Sequence, residues 1–156
     1  MLKNVSWKPL AAAAGGTIVI ALLLMMGDKM SITLMMAPFG ASCVIVFVLP
    51  DSPLAKARNV VGGHLISTGV GLVMLHIFGD STWSIALSVG LSILLMQLTR
   101  TVYPPAGADP LVVMLSGAGW SYLFTPVLLG AVLIAISAYG YRKLLATKTA
   151  ILKSEK

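Results

Sequence analysis

Charge is what this chain has least of. Only 10% of its 156 residues are Asp, Glu, Lys or Arg, against 58% hydrophobic, and the mean hydropathy is +0.95. A soluble domain carries roughly a quarter of its residues charged, so the scarcity excludes that class and implies a chain dissolved in lipid. Cysteine is almost absent: Cys43 stands alone inside an apolar run, which excludes a disulfide or a cysteine metal site and reads as a packed thiol. Two histidines and five carboxylates are too few for a metal centre. The chain also lacks His-Glu-x-x-His, Gly-x-Ser-x-Gly and Gly-x-x-x-x-Gly-Lys-Ser, so no catalytic residue, metal or cofactor is expected.

The charges that do occur are clustered. A net charge of +6 comes from Lys and Arg at the chain ends and in short loops, without the basic stripe and interleaved aromatics of a nucleic-acid surface. Anionic lipid headgroups at the cytoplasmic face are the expected partners. Lys3 and Lys8 precede the first apolar run in the manner of a signal peptide, but no small-x-small cleavage site follows Met26, so the run is expected to be retained.

A helix needs about 20 apolar residues to cross a bilayer. Clear candidates are Leu10 to Met26, Ile32 to Leu49, Val60 to Phe78, Trp83 to Thr99 and Ser121 to Tyr141. Val102 to Gly117 is ambiguous, because it contains Pro104, Pro105, Asp109 and Pro110. Loop charge decides between five and six crossings, since Lys and Arg concentrate in the cytoplasm. With six crossings and both termini inside, Lys3, Lys8, Lys56, Arg58, Arg100, Arg142, Lys143, Lys148, Lys153 and Lys156 are cytoplasmic, and Lys29 alone lies outside. Five crossings would move the last five of those outside. The Pro-rich run is therefore expected to be a broken span, tolerated only where its free backbone groups are buried in protein or line a cavity.

That segment has a counterpart. Ala37-Pro38-Phe39-Gly40-Ala41-Ser42 aligns with Pro104-Pro105-Ala106-Gly107-Ala108-Asp109 at a constant offset of 67 residues, and each is followed by a β-branched apolar run. Each copy is the middle span of a three-span half, residues 10–78 and 83–141, ahead of a basic cytoplasmic tail at 142–156. An odd number of spans per half makes the second enter the membrane from the opposite side. The expected fold is a single all-α membrane domain of six transmembrane helices, two inverted three-helix repeats with discontinuous second and fifth helices.

Pro38 and Pro105 suit a first helical turn, and Gly40 and Gly107 let the backbone approach a ligand. The free amides of that turn favour a small anion. The expected substrate-binding residues are Pro38, Gly40, Ala41, Ser42, Tyr103, Pro105, Gly107, Ala108 and Asp109. The alternative is a kink whose small residues serve only packing. Asp109 would repel an anion unless protonated or paired, and otherwise reads as a first-turn capping group. His64 is the candidate proton relay or gate, with Arg100 as a second gate candidate and Arg58, Gln97, Thr99 and Thr101 at the same cytoplasmic mouth. His76, near the outer end, is expected to have no role. Gly62, Gly63, Gly69 and Gly71 read as helix-packing residues.

Taken in order, Ala37-Pro38-Phe39-Gly40-Ala41-Ser42, Ser52-Pro53-Leu54-Ala55, Arg58-Asn59-Val60-Val61-Gly62-Gly63-His64-Leu65 and Leu98-Thr99-Arg100-Thr101-Val102-Tyr103-Pro104-Pro105-Ala106-Gly107-Ala108 closely resemble the HPP family of integral membrane proteins. The resemblance runs from about Pro38 to Tyr141. It implies transport of nitrite, and it departs at the name-giving motif, where Tyr103-Pro104-Pro105 replaces His-Pro-Pro. A tyrosine hydroxyl can still donate a hydrogen bond there. The expected function is a transporter or channel for a small inorganic anion in the cell inner membrane. The alternatives are a membrane scaffold or accessory subunit and an intramembrane enzyme using His64 and Asp109, which would require those side chains to converge. Six short helices leave a thin bundle, so a homodimer is expected.

Overall fold

The computed structural model describes residues 7–154, with the backbone alone from 149 onward; Lys3 and Lys156 of the basic termini lie outside the described residues. These residues form six α-helices and no strand: α1 (Trp7–Met30), α2 (Ala37–Cys43), α3 (Ala57–Phe78), α4 (Thr82–Leu98), α5 (Asp109–Leu115) and α6 (Leu129–Ser154). Trp7–Met30, Ala57–Phe78 and the helical run Trp120–Lys148 are long and apolar enough to cross a membrane, while Ala37–Val48 and Thr82–Leu98 are shorter apolar helices.

α1 is apolar all round, yet only Ala12, Val19, Leu23 and Gly27 are buried. A helix whose apolar outer face has no protein partner is suited to lipid. It ends in Gly27-Asp28-Lys29, and the extended stretch that follows packs back on it. A methyl group at Gly27 would stand 2.8 Å from the Ile32 carbonyl oxygen.

The expected second span, Ile32 to Leu49, becomes helical only at Ala37, where Pro38 occupies the first turn. After seven residues the helix widens into a π-turn over Val44–Val48, a β-branched run whose side chains crowd an ordinary helix. The expected span Ser121 to Tyr141 is likewise broken. A 3₁₀ turn over Trp120–Leu123 and a π-turn over Phe124–Leu128 precede α6, and Thr125 has non-helical dihedrals immediately before Pro126, as the residue before a proline tends to.

α3 organises the interior. Its buried residues Val60, Gly63, His64, Ser67, Thr68, Gly71 and Leu72 recur at three- and four-residue spacing on one face. Three of its glycines admit the chain that follows α4. A methyl at Gly63 would lie 2.6 Å from Tyr103 Cβ, at Gly62 2.8 Å from Thr101 Cγ2, and at Gly71 2.9 Å from Pro110 Cα. Gly69 faces open space, so the packing expectation holds for three of the four glycines. α4 buries Ser84, Ser88, Ser92 and Met96, one per turn. It ends in a left-handed Arg100 with φ of 57°. The chain then extends through Thr101 to Tyr103, turns as a 3₁₀ helix over Pro104–Ala108, and enters the seven-residue α5.

Residues 142–148 continue α6 as helix. Lys148 Nζ lies 4.2 Å from the centroid of the Trp7 ring, so the start of α1 and the last turns of α6 share one end of the bundle.

Candidate functional site

The two Pro-x-Gly-Ala turns come together on His64. From α2, the Ser42 hydroxyl lies 2.9 Å from His64 Nε2; from the first turn of α5, Asp109 Oδ2 lies 2.7 Å from Nδ1. Ser42 and His64 are 0% exposed and Asp109 is 1% exposed. Two edge-on rings flank the imidazole, Phe39 at 5.2 Å and Tyr103 at 5.3 Å between centroids. The Tyr103 hydroxyl donates to the Ser42 carbonyl at 3.4 Å, a second tie between the turns. Thr68, one helical turn beyond His64, donates to Asp109 Oδ2 at 3.3 Å, and Ser67 donates to the Ala106 carbonyl.

Proton placement along this chain is constrained. The Ser42 hydroxyl also lies 3.1 Å from the Pro38 carbonyl and has one hydrogen to give. If the carbonyl takes it, Nε2 must donate to Ser42 Oγ. The pair then holds an acid proton, on either side of the His64–Asp109 contact. If Nε2 takes it, Nδ1 donates to an ionised Asp109. The two arrangements differ by one proton, so passing between them takes up or releases a proton as the hydroxyl rotates. Asp109 Oδ1 is buried and has no hydrogen-bond partner, which leaves an open acceptor in a place where an unmatched charge is costly.

The expected site residues divide into two sets. Pro38, Ser42, Tyr103, Pro105 and Asp109 are buried with His64, whereas Gly40 and Ala41 are exposed and Gly107 and Ala108 half-buried. A methyl at Gly40 or Gly107 would meet nothing within 4 Å. The expected supply of free first-turn amides is smaller than the pattern suggested. Pro38, Pro104 and Pro105 have no amide hydrogen, and the Phe39 and Ala106 amides are bonded to the Met36 and Tyr103 carbonyls, each at 3.0 Å. Polar side chains therefore dominate the meeting point. Asp109 makes no capping bond; its carboxylate serves His64 and Thr68 instead.

Arg100 is exposed just beyond the end of α4, whereas His64 is buried. Arg58 is also exposed and clasps the Thr99 carbonyl, holding the start of α3 to the end of α4. The Thr99 and Thr101 hydroxyls bond one another at 2.8 Å, and Gln97 is exposed. His76 bonds its own helix at the Leu72 carbonyl and packs against Trp120, 5.2 Å between centroids. Thr68 and Phe39 were not among the expected site residues. Four-residue spacing from His64 on α3 was an available signal for Thr68; Phe39 had none beyond lying within the first Pro-x-Gly-Ala turn.

Comparison with known proteins agrees with this reading of the chain as a membrane protein. Two transmembrane proteins of Dictyostelium discoideum are 32% and 30% identical over 145 residues, each alignment covering 88% of this chain. It takes in 51% and 47% of those relatives, so the chain spans about half the length of the curated proteins it matches. No solved structure matches it. The family described as "HPP, transmembrane region" matches residues 3–150. With nearly its whole length inside that match, the chain belongs to the HPP family of transmembrane proteins.

Proposed function

We propose that this protein moves a small monovalent anion, nitrite first, across the cell inner membrane. One observation carries the reading: a fully buried Ser42–His64–Asp109 chain links two similar Pro-containing turns from separate parts of the sequence. Ionisable groups within a transmembrane bundle are costly and mark ion or proton pathways. Donors for the anion come from His64 Nε2 and the Ser42 hydroxyl, with the Tyr103 hydroxyl in support. The burial of all three site groups suits a closed state, with access gained when one half moves against the other.

The architecture proposed for this role is the inverted pair of three-span halves, residues 10–78 and 83–141, with discontinuous second and fifth helices and both termini cytoplasmic. The Trp7–Lys148 contact supports termini on one side, which requires an even number of crossings. The exposed small residues Ala37, Gly40 and Ala41 on α2 suit close approach of a second copy, in keeping with a homodimer. The basic residues at the shared end suit anionic headgroups. The test is nitrite flux into proteoliposomes of the purified protein. Flux above that of empty liposomes is expected under at least one direction of pH gradient, and its absence under both directions overturns the reading.

A second reading, an intramembrane hydrolase, is favoured by the order of the contacts: a hydroxyl on one imidazole nitrogen and a carboxylate on the other is the arrangement that activates a serine nucleophile. A fluorophosphonate probe that labels the protein, but not its Ser42→Ala variant, would establish a reactive serine. Failure to label removes this reading.

A further inference from the structure

The buried pair carries its own charge arithmetic. With no acid proton, His64 and Asp109 together hold one negative charge; with one proton they are neutral, whichever residue bears it; with two they hold one positive charge. An anion joining the pair while it holds no acid proton would put two negative charges in the buried site, beside a carboxylate with an unpartnered oxygen, whereas one proton taken up as the anion binds holds the site at a single negative charge throughout. In a dry interior the second charge is not screened. The groups facing the pair supply no compensating cation. They are Phe39 and Ser42 from α2, Ser67 and Thr68 from α3, and Tyr103 beside them. Cys43, buried next to Ser42 on α2, and the half-buried Tyr122 carry a thiol and a phenol, neither of which supplies a cation. Arg58 and Arg100 are exposed. Among the described residues, no lysine or arginine is bonded to either member of the pair.

We infer that each anion crosses together with one proton held on the His64–Asp109 pair, so that transport is electroneutral anion–proton symport. The inference rests on the anion-transport reading above and adds its stoichiometry and the place of the proton. The pair takes the proton from the side on which the anion binds and releases it on the opposite side, so charge and protons balance in each cycle. The short Nδ1–Oδ2 contact lets that proton reside on either residue without rearrangement. Asp109 Oδ1 remains as the acceptor for a donor accompanying the substrate.

The test uses proteoliposomes of the full chain loaded with a pH-indicating dye, with the membrane potential set by potassium and valinomycin. Empty liposomes define the passive leak of nitrous acid. Above that leak, one proton is expected to enter with each nitrite, and the rate is expected to be unchanged when the potential is reversed. Asp109→Asn keeps the side-chain shape but removes the titrating carboxyl, and is expected to abolish proton-coupled nitrite entry. Nitrite flux that follows the potential without proton movement overturns the inference and leaves the transport reading standing. Absence of nitrite flux overturns both. An Asp109→Asn protein that retains one proton per nitrite overturns the assignment to the pair. Because the wild-type stoichiometry decides the symport claim, misfolding of the variant would not rescue it.

Discussion

Asp109 gives His64 its carboxylate partner and accepts from Thr68 with the same oxygen, Oδ2. Removing one member of a buried, hydrogen-bonded pair costs about 3–5 kcal/mol because the other is left unmatched. Asp109→Ala is therefore expected to lower Tm in detergent strongly. Asp109→Asn, which keeps a hydrogen-bonding group in the same space, is expected to lose less. Equal Tm for wild type and Asp109→Ala would mean that the pair does not contribute in this way. The chemistry of this residue was only partly legible in the chain. A carboxylate in an apolar span announces itself by cost, and its likeness in position to Ser42 follows from the repeated turn. Its bond to His64 joins positions 45 residues apart, and that of Ser42 joins positions 22 apart. The repeat led to the expectation that the two turns share one site, but spacing within one helix gives a residue's face and not which segment packs there, so the meeting of His64 with Asp109 was legible only as a requirement of the enzyme alternative and that of His64 with Ser42 not at all.

At the scale of elements, α3 is the wall against which the segment from Thr101 to Pro110 lies. Its glycines differ sharply in what surrounds them. Gly63→Ala would push a methyl group to 2.6 Å from Tyr103 Cβ and 3.1 Å from the Thr101 carbonyl oxygen, an overpacking expected to cost about 1–3 kcal/mol. Gly69→Ala meets nothing within 4 Å and is expected to gain up to about 1 kcal/mol from helix propensity. Thermal unfolding of the two variants in one detergent separates them, and equal Tm values would contradict the close approach. A similar contrast holds on α6. A methyl at Gly130 would overlap the Phe39 ring, which packs on His64, whereas Gly140 is open; only Gly130→Ala is expected to lower Tm. Hydropathy recovered α3 and α4 to within a few residues because both are uninterrupted apolar runs. It overran both ends of α2 and the start of α6, since a window average registers apolar content and not the proline-linked breaks at Ala37 and Thr125, and it stopped at Tyr141 although α6 continues into the basic residues to Ser154.

For the whole molecule, the pairing of the two chain ends bears on topology. Trp7 and Lys148 meet, so cysteines introduced at Lys8 and at Lys143, in a Cys43→Ser background, are expected to react with an impermeant maleimide from the same side, which on the proposed topology is reached only after the cytoplasmic face is opened. A cysteine at Lys29 is expected to react from outside in intact cells. Labelling of Lys8 and Lys143 positions from opposite sides would contradict an even number of crossings. The membrane class was legible from scarce charge, because lipid replaces the charged surface that water demands, and its helical form from apolar runs long enough to cross a bilayer as helix. The central claim is that the meeting point of the two turns holds the anion, and diffraction from crystals grown in bromide tests it most directly. The account predicts an anomalous peak within hydrogen-bond reach of the His64 ring or the Ser42 hydroxyl; bromide found only at the exposed basic ends of the helices, or no ordered bromide at all, would contradict it.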